Sequence, residues 1–255
     1  MRYLFIFCIS ITVLFTSSLH AGETIKIFGN EYKPPKIWIT KDGVHKGILI
    51  EVMKEVEKEL DVKFNFETYP WARSYKMALN SRGGITGISF TNEREKIFDF
   101  NKVPLFYDTM VLITKKGKEF KFENIEDLKG KKIGFCRGCS FGEIFEEAKR
   151  YFIPVETDDS REQRLALVLN GKIDAAILGP GKYGLMKICK ENKYISYDQF
   201  SILPKPLTVD PNYMAFSKEL NKRELLDEFD KILQKKIESG VIKKITDRVM
   251  SESLK

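Results

Sequence analysis

The chain runs to 255 residues, 43% hydrophobic and 31% charged, a balance that suits one large globular domain or two smaller ones. Its formal charge of +7 comes from scattered lysines with no basic stripe interleaved with aromatics, which excludes a nucleic-acid surface and leaves an anionic small ligand as the milder reading. The only histidines are His20 and His45, so there is no pair for a metal and no second imidazole for acid–base chemistry. No metal, no cofactor and no enzymatic activity are expected.

At the N-terminus, Arg2 precedes an apolar run from Tyr3 to Phe15 and a small, polar stretch from Thr16 to Ala21. This is the pattern of a cleaved signal peptide over residues 1–21, with Leu19-His20-Ala21 ahead of a cut at Gly22. The apolar run falls well short of the roughly 20 residues a spanning helix needs. Cys8 lies inside that run and not after it, unlike a lipid-modified cysteine. Removing the segment takes away Arg2 and no acid, so +7 becomes +6. The expected product is a soluble, monomeric protein outside the inner membrane.

Periodicity then alternates strand and helix. Thr24–Gly29 alternates as a strand, Leu49, Val52, Met53, Val56 and Leu60 mark one helix face, and Val62–Thr68 alternates again. A second strand–helix unit begins after Gly130, with a strand over Lys132–Phe135, a glycine-containing bend and a helix from about Phe141 to Tyr151. A helix over Arg161–Asn170 stops at Gly171, and the strand Ile173–Leu178 is broken by Gly179-Pro180-Gly181. Leu225, Phe229, Ile232, Leu233 and Ile237 form the apolar face of a late helix, and Gly240 separates it from a short final one.

Five segments occur in an order that resembles a known family. They are Gly47–Val56 (GILIEVMKEV), Tyr69–Leu79 (YPWARSYKMAL), Thr91–Phe100 (TNEREKIFDF) with Pro104 following, Ile125–Gly134 (IEDLKGKKIG) and Gly171–Ala175 (GKIDA). Together they resemble the bacterial extracellular solute-binding proteins of the polar amino acid type, family 3. The resemblance implies an α/β fold of two doubly wound lobes joined by two crossing strands, with lobe one at 22–110 plus 211–255 and lobe two at 111–210. It also implies a small-molecule ligand held between the lobes and delivery to the permease of an ABC transporter. Pro104, Pro204, Pro206 and Pro211 fall where the crossovers are expected, and proline stiffens such linkers by fixing φ.

The resemblance assigns Arg94 to the ligand carboxylate, and a planar guanidinium offers the two-point donor such a group needs. The competing assignment is a surface ion pair with Glu93 or Asp99. Ser89 and Thr91 fall on the family's hydroxyl positions, with helix capping as the alternative for Thr91. Tyr32 and Trp71 are the expected aromatic walls, with burial in the core as the alternative for Trp71. From lobe two, Gly138, Cys139 and Ser140 correspond to the family's glycine and hydroxyl at a helix N-terminus, where free N–H groups favour an anion. Cys139 stands where the family commonly has Thr or Ser.

Cys136 and Cys139 also form a C-x-x-C between strand and helix, which raises a thiol oxidoreductase as another class. For this pair, free thiols in a tight bend are favoured slightly over a disulfide. A third class is a dehydratase-like enzyme on the same scaffold, which would require a cleft carboxyl with a raised pKa. Finally, the aspartate that holds an α-ammonium in the family's amino acid binders is replaced here by Gly179. A desolvated ammonium needs a charged partner, so this departure favours a small carboxylate or other polar anion over an ordinary α-amino acid.

Overall fold

The computed structural model describes residues 22–157 and 160–254, so the expected signal peptide lies outside the described residues. Among the described residues no helix is long and apolar enough to cross a membrane.

The first half of the chain builds β1 (Glu23–Asn30), a small meander of β2 (Tyr32–Lys33), β3 (Ile37–Ile39) and β4 (His45–Lys46), then α1 (Ile48–Glu57) and β5 (Val62–Tyr69). It continues through α2 (Trp71–Leu79), β6 (Gly84–Ser89), α3 (Asn92–Glu95), β7 (Phe98–Phe100) and the long β8 (Phe106–Lys115). The second half contains β9 (Lys132–Cys136), α4 (Glu143–Ala148), β10 (Ile153–Thr157), α5 (Arg161–Leu169), β11 (Ala175–Leu178) and α6 (Gly181–Glu191). It ends with β12 (Phe200–Ile202), the long β13 (Thr208–Ser217), α7 (Arg223–Glu238) and α8 (Val241–Ser253).

The main sheet runs β10-β9-β11-β8-β13-β6-β1-β5. On one side β1 pairs in parallel with β5 and β6; on the other, β9 pairs in parallel with β10 and β11. Parallel strands need crossovers, and helices supply them, which makes each side a doubly wound α/β lobe. The two long strands join the lobes by changing partners along their length. β8 pairs with β13 over Phe106–Met110 and then with β11 and β12 further along, while β13 leaves β8 at Asn212 and continues against β6 and β7.

Burial follows this division. One apolar cluster holds Ile27, Leu49, Met53, Phe64, Phe229 and Val249 from lobe one, and another holds Ile113, Leu165, Leu178, Leu185 and Ile188 from lobe two. A third contains Phe28, Trp71 and Phe98 alongside Phe135, Phe141 and Phe145, so it spans the two lobes. The α1 face read from the sequence is buried at Leu49, Val52, Met53 and Val56.

Some expected boundaries differ. The helix expected over residues 141–151 is shorter, Glu143–Ala148, because Gly142 at φ 86° holds the chain in the left-handed region ahead of it. Gly179-Pro180-Gly181 ends β11 as expected but also starts α6, with Pro180 as its N-cap.

Candidate functional site

The cleft is assembled where the two lobes meet over the crossing strands. A small cavity of about 30 Å³ lies there, lined by Lys36, Trp71, Ser89, Cys139, Ser140 and Asp210, among others. That is room for one or two water-sized groups. A larger cleft of about 550 Å³ adjoins it and is lined by Glu31, Tyr32, Pro70, Arg137 and Arg161; Asn30 and Trp71 border both spaces.

Hydrogen bonds close the lobes across this cleft. The Trp71 indole N–H donates to the Gly138 carbonyl at 3.1 Å. The Ser89 hydroxyl lies 2.9 Å from the Ser140 carbonyl and 2.7 Å from Asp210 Oδ2. The Asn92 N–H donates to the Glu143 carboxylate, and Arg161 Nη1 donates to the Pro34 carbonyl at 3.4 Å. Each joins a lobe-one residue to lobe two or to the hinge, so the described conformation is a closed one.

Arg94 is buried at 7% exposure, and its guanidinium donates to the Ser89 carbonyl at 2.9 Å. It lies 5.2 Å from the Tyr75 ring centroid and 6.0 Å from that of Trp71, within cation–π range. Burial pulls its pKa below the ordinary arginine value. The surface ion pair expected as its alternative is not formed: Glu93 pairs with Lys96, and Asp99 pairs with Arg223. Arg94 sits behind the cavity wall, next to Ser89.

The other expected site residues divide. Trp71, Ser89, Cys139 and Ser140 line the small cavity, and Gly138 meets it through Trp71. Thr91 takes the capping role, its hydroxyl accepting from the Arg94 N–H at 3.2 Å. Tyr32 faces the larger cleft, is 46% exposed, and donates its hydroxyl to Glu191 at 2.6 Å. It walls that cleft and not the cavity at the hinge.

The expectation of free thiols in the bend is corrected, since Cys136 and Cys139 form a disulfide. Cys139 turns back on Cys136, its N–H donating to the Cys136 carbonyl at 3.1 Å, and Gly138 at φ 67° makes that turn possible. The two cysteines are 2% and 8% exposed in this closed arrangement, which restricts the access that thiol–disulfide exchange requires. Cys189 is a free thiol whose pKa burial raises.

A Cβ at Gly179 would collide with Asp108 Oδ1 and Met110 Sδ, so an acidic group from β8 occupies the space that a side chain at 179 would need. The crossing strands thus carry two carboxylates at the hinge, of which Asp210 lines the small cavity. Asp108 forms a buried ion pair with Lys36, whose ammonium also donates to Asn212 Oδ1 at 2.8 Å. Asp210 lies directly opposite Asp108 in the β8–β13 ladder and is 2% exposed. Desolvation pushes its carboxyl up to about 6, with Asp108 raising it further and the Ser89 hydrogen bond and Lys36 lowering it.

Lys36, Asp108, Asp210 and Asn212 are the residues that sequence reading missed. Their only signal is charged or amide side chains in strand-like surroundings, which an exposed strand face would show equally.

Comparison with known proteins agrees with this architecture. A probable amino-acid-binding protein, YxeM of Bacillus subtilis, is 26% identical over 251 residues, covering 92% of this chain and 85% of its own. A probable amino-acid ABC transporter-binding protein of Haemophilus influenzae is 24% identical over 250 residues, covering 92% of this chain and 91% of its own. Among solved structures, the amino acid ABC transporter substrate-binding protein AbpA of Streptococcus pneumoniae, bound to L-arginine, superposes with a TM-score of 0.70 at 22% identity, covering 91% of this chain and 96% of that one. The sequence profile of the bacterial extracellular solute-binding proteins, family 3, matches residues 25–252, and the chain belongs to that family.

Proposed function

We propose that this protein is exported through a signal peptide over residues 1–21 and captures an amino acid or a related small carboxylate between its lobes. It then passes the ligand to the permease of an ABC transporter. Lobe one is read as 22–110 plus 211–255 and lobe two as 111–210, with the protein acting as a periplasmic monomer that does not bind nucleic acid. The carrying observation is the cavity over the crossing strands, lined from both lobes by Trp71, Ser89, Cys139 and Ser140 and backed by the buried Arg94. Apolar walls with a few placed polar groups are what small-ligand sites require. The two relatives named above are probable amino-acid-binding proteins, which favours the same ligand class.

A thermal-shift panel of the twenty L-amino acids, L-cystine and the matching 2-oxo acids tests this reading. At least one small carboxylate in the panel is expected to raise Tm by several degrees. A panel in which none does so counts against the reading.

The raised carboxyl of Asp210 is also the feature that a dehydratase on this scaffold would need. We read it as a binding group, and recovery of the bound ligand chemically unchanged after overnight incubation, followed by NMR, is the expected result.

A further inference from the structure

The hinge holds two buried carboxylates face to face, and each keeps one oxygen without a hydrogen-bond partner, Asp108 Oδ1 and Asp210 Oδ1. The two are not equivalent. Asp108 is neutralised by Lys36. Asp210 Oδ2 instead takes hydrogen bonds from neutral groups, the Ser89 hydroxyl and the Asn212 amide at 3.1 Å, and Asp210 itself lines the small cavity. A buried, unpartnered carboxylate oxygen on a residue that lines a space for one or two water-sized groups has lost hydration without replacement. A cationic donor of that size would restore it.

We propose that Asp210 is the ammonium-binding residue of this protein, with its Oδ1 receiving the ligand's α-ammonium in the small cavity. The rest of the ligand extends past Asn30 and Trp71, which border both spaces, into the larger cleft. This assignment rests on the solute-binding reading above and narrows its ligand class to ammonium-bearing carboxylates, that is, α-amino acids. It also accounts for Gly179: the negative group has moved from lobe two to the crossing strands, and Asp108 fills the space a side chain at 179 would take. Lys36 fixes Asp108 and, through Asn212, orients Asp210.

The charged groups around Asp210 are Lys33 and Lys36 from the segment after β1, Arg94 from α3 and Asp108 from β8. From lobe two, Gly142 approaches it, and Glu146 of α4 acts on Arg94 nearby. None of these is a histidine. The carboxyl pushed up to about 6 is therefore the group expected to titrate in the cleft between pH 5 and 7.5.

The test compares wild type and Asp210→Asn by calorimetry. The probes are the L-amino acid giving the largest thermal shift and its 2-oxo analogue, which keeps the carboxylate and lacks the ammonium. The substitution is expected to weaken the amino acid about 100-fold and to change 2-oxo acid binding less than about threefold. Amino acid affinity within about threefold of wild type, or equal losses for both probes, would overturn the assignment. Wild type binding the two probes equally well keeps the solute-binding reading and overturns the role of Asp210. Wild type binding neither takes both down. Should Asp210→Asn fail to fold, wild type alone decides. Its amino acid affinity is expected to fall about tenfold from pH 7.5 to 5 while that of the 2-oxo acid holds, and a flat profile contradicts the assignment.

Discussion

Asp108 and Asp210 are direct cross-strand partners in the ladder that joins the two lobes, a position where like charges ordinarily destabilise a sheet. Two features make the pairing tolerable. Lys36 compensates Asp108, and the carboxyl of Asp210 is pushed up to about 6 by burial and by its neighbour.

That shift has a signed consequence for stability. The folded pKa lies above the unfolded one, so between them the native state binds more protons than the unfolded chain. The contribution of Asp210 is greatest below about pH 4 and is lost as pH rises through about 6. Urea unfolding of wild type and Asp210→Asn at pH 4.5 and 7.5 should therefore show wild type losing about 2 kcal/mol relative to the variant across that interval. A constant difference would show that Asp210 does not titrate in this range.

Arg94 donates to the Ser89 carbonyl and lies beside the stacked rings of Tyr75 and Trp71. Arg94→Ala is expected to cost about 2–5 kcal/mol of ligand affinity, as for loss of one partner of a buried charge pair. Arg94→Lys should recover little of it, because an ammonium offers no planar fork. Titration calorimetry of both variants measures this, and near-wild-type affinity in Arg94→Ala would assign the residue a packing role only.

The Trp71 indole reaches across the cleft to Gly138, a bond available only when the lobes are together. Trp71→Phe keeps an aromatic wall and removes that donor. An affinity loss of about fivefold, carried mainly by faster ligand release, is expected in stopped-flow measurements. An unchanged dissociation rate would mean that the bond does not hold the closed form.

The Cys136–Cys139 disulfide predicts a thiol count. In a protein spanning residues 22–255, denaturation without reductant should expose one reactive thiol, Cys189, and reduction should bring the total to three. Replacing both paired cysteines by serine is expected to cost about 2 kcal/mol, since the closed loop is short.

Much of this architecture was legible because its signals are local. The apolar face of α1 and the hydroxyl cap at Thr91 are each specified within a few residues of sequence. The same is true of the glycine turns that flank α4 and α5. Arg94, Ser89, Trp71 and Ser140 were likewise assigned from short motifs, and three of them line one cavity while Arg94 backs it. The hinge ladder was not legible, because Asp108 meets Asp210 only through antiparallel pairing of strands about a hundred residues apart in the chain. Seen in one dimension, Asp210 before Pro211 looks like a turn. In the fold it is a buried strand residue, and Pro211 is tolerated where β13 changes partners. The Cys136–Cys139 bond was missed for a related reason: C-x-x-C spacing permits both redox states, and only the backbone turn at Gly138 brings the sulfurs together.

Capture of a small ligand by closure of two lobes about the crossing strands is measurable by small-angle X-ray scattering. With the amino acid that gives the largest thermal shift present at saturation, the radius of gyration should fall from that of the ligand-free protein. The liganded profile should then match the closed arrangement held by Trp71–Gly138 and Ser89–Ser140. An identical radius with and without that ligand would show that the lobes do not close on it.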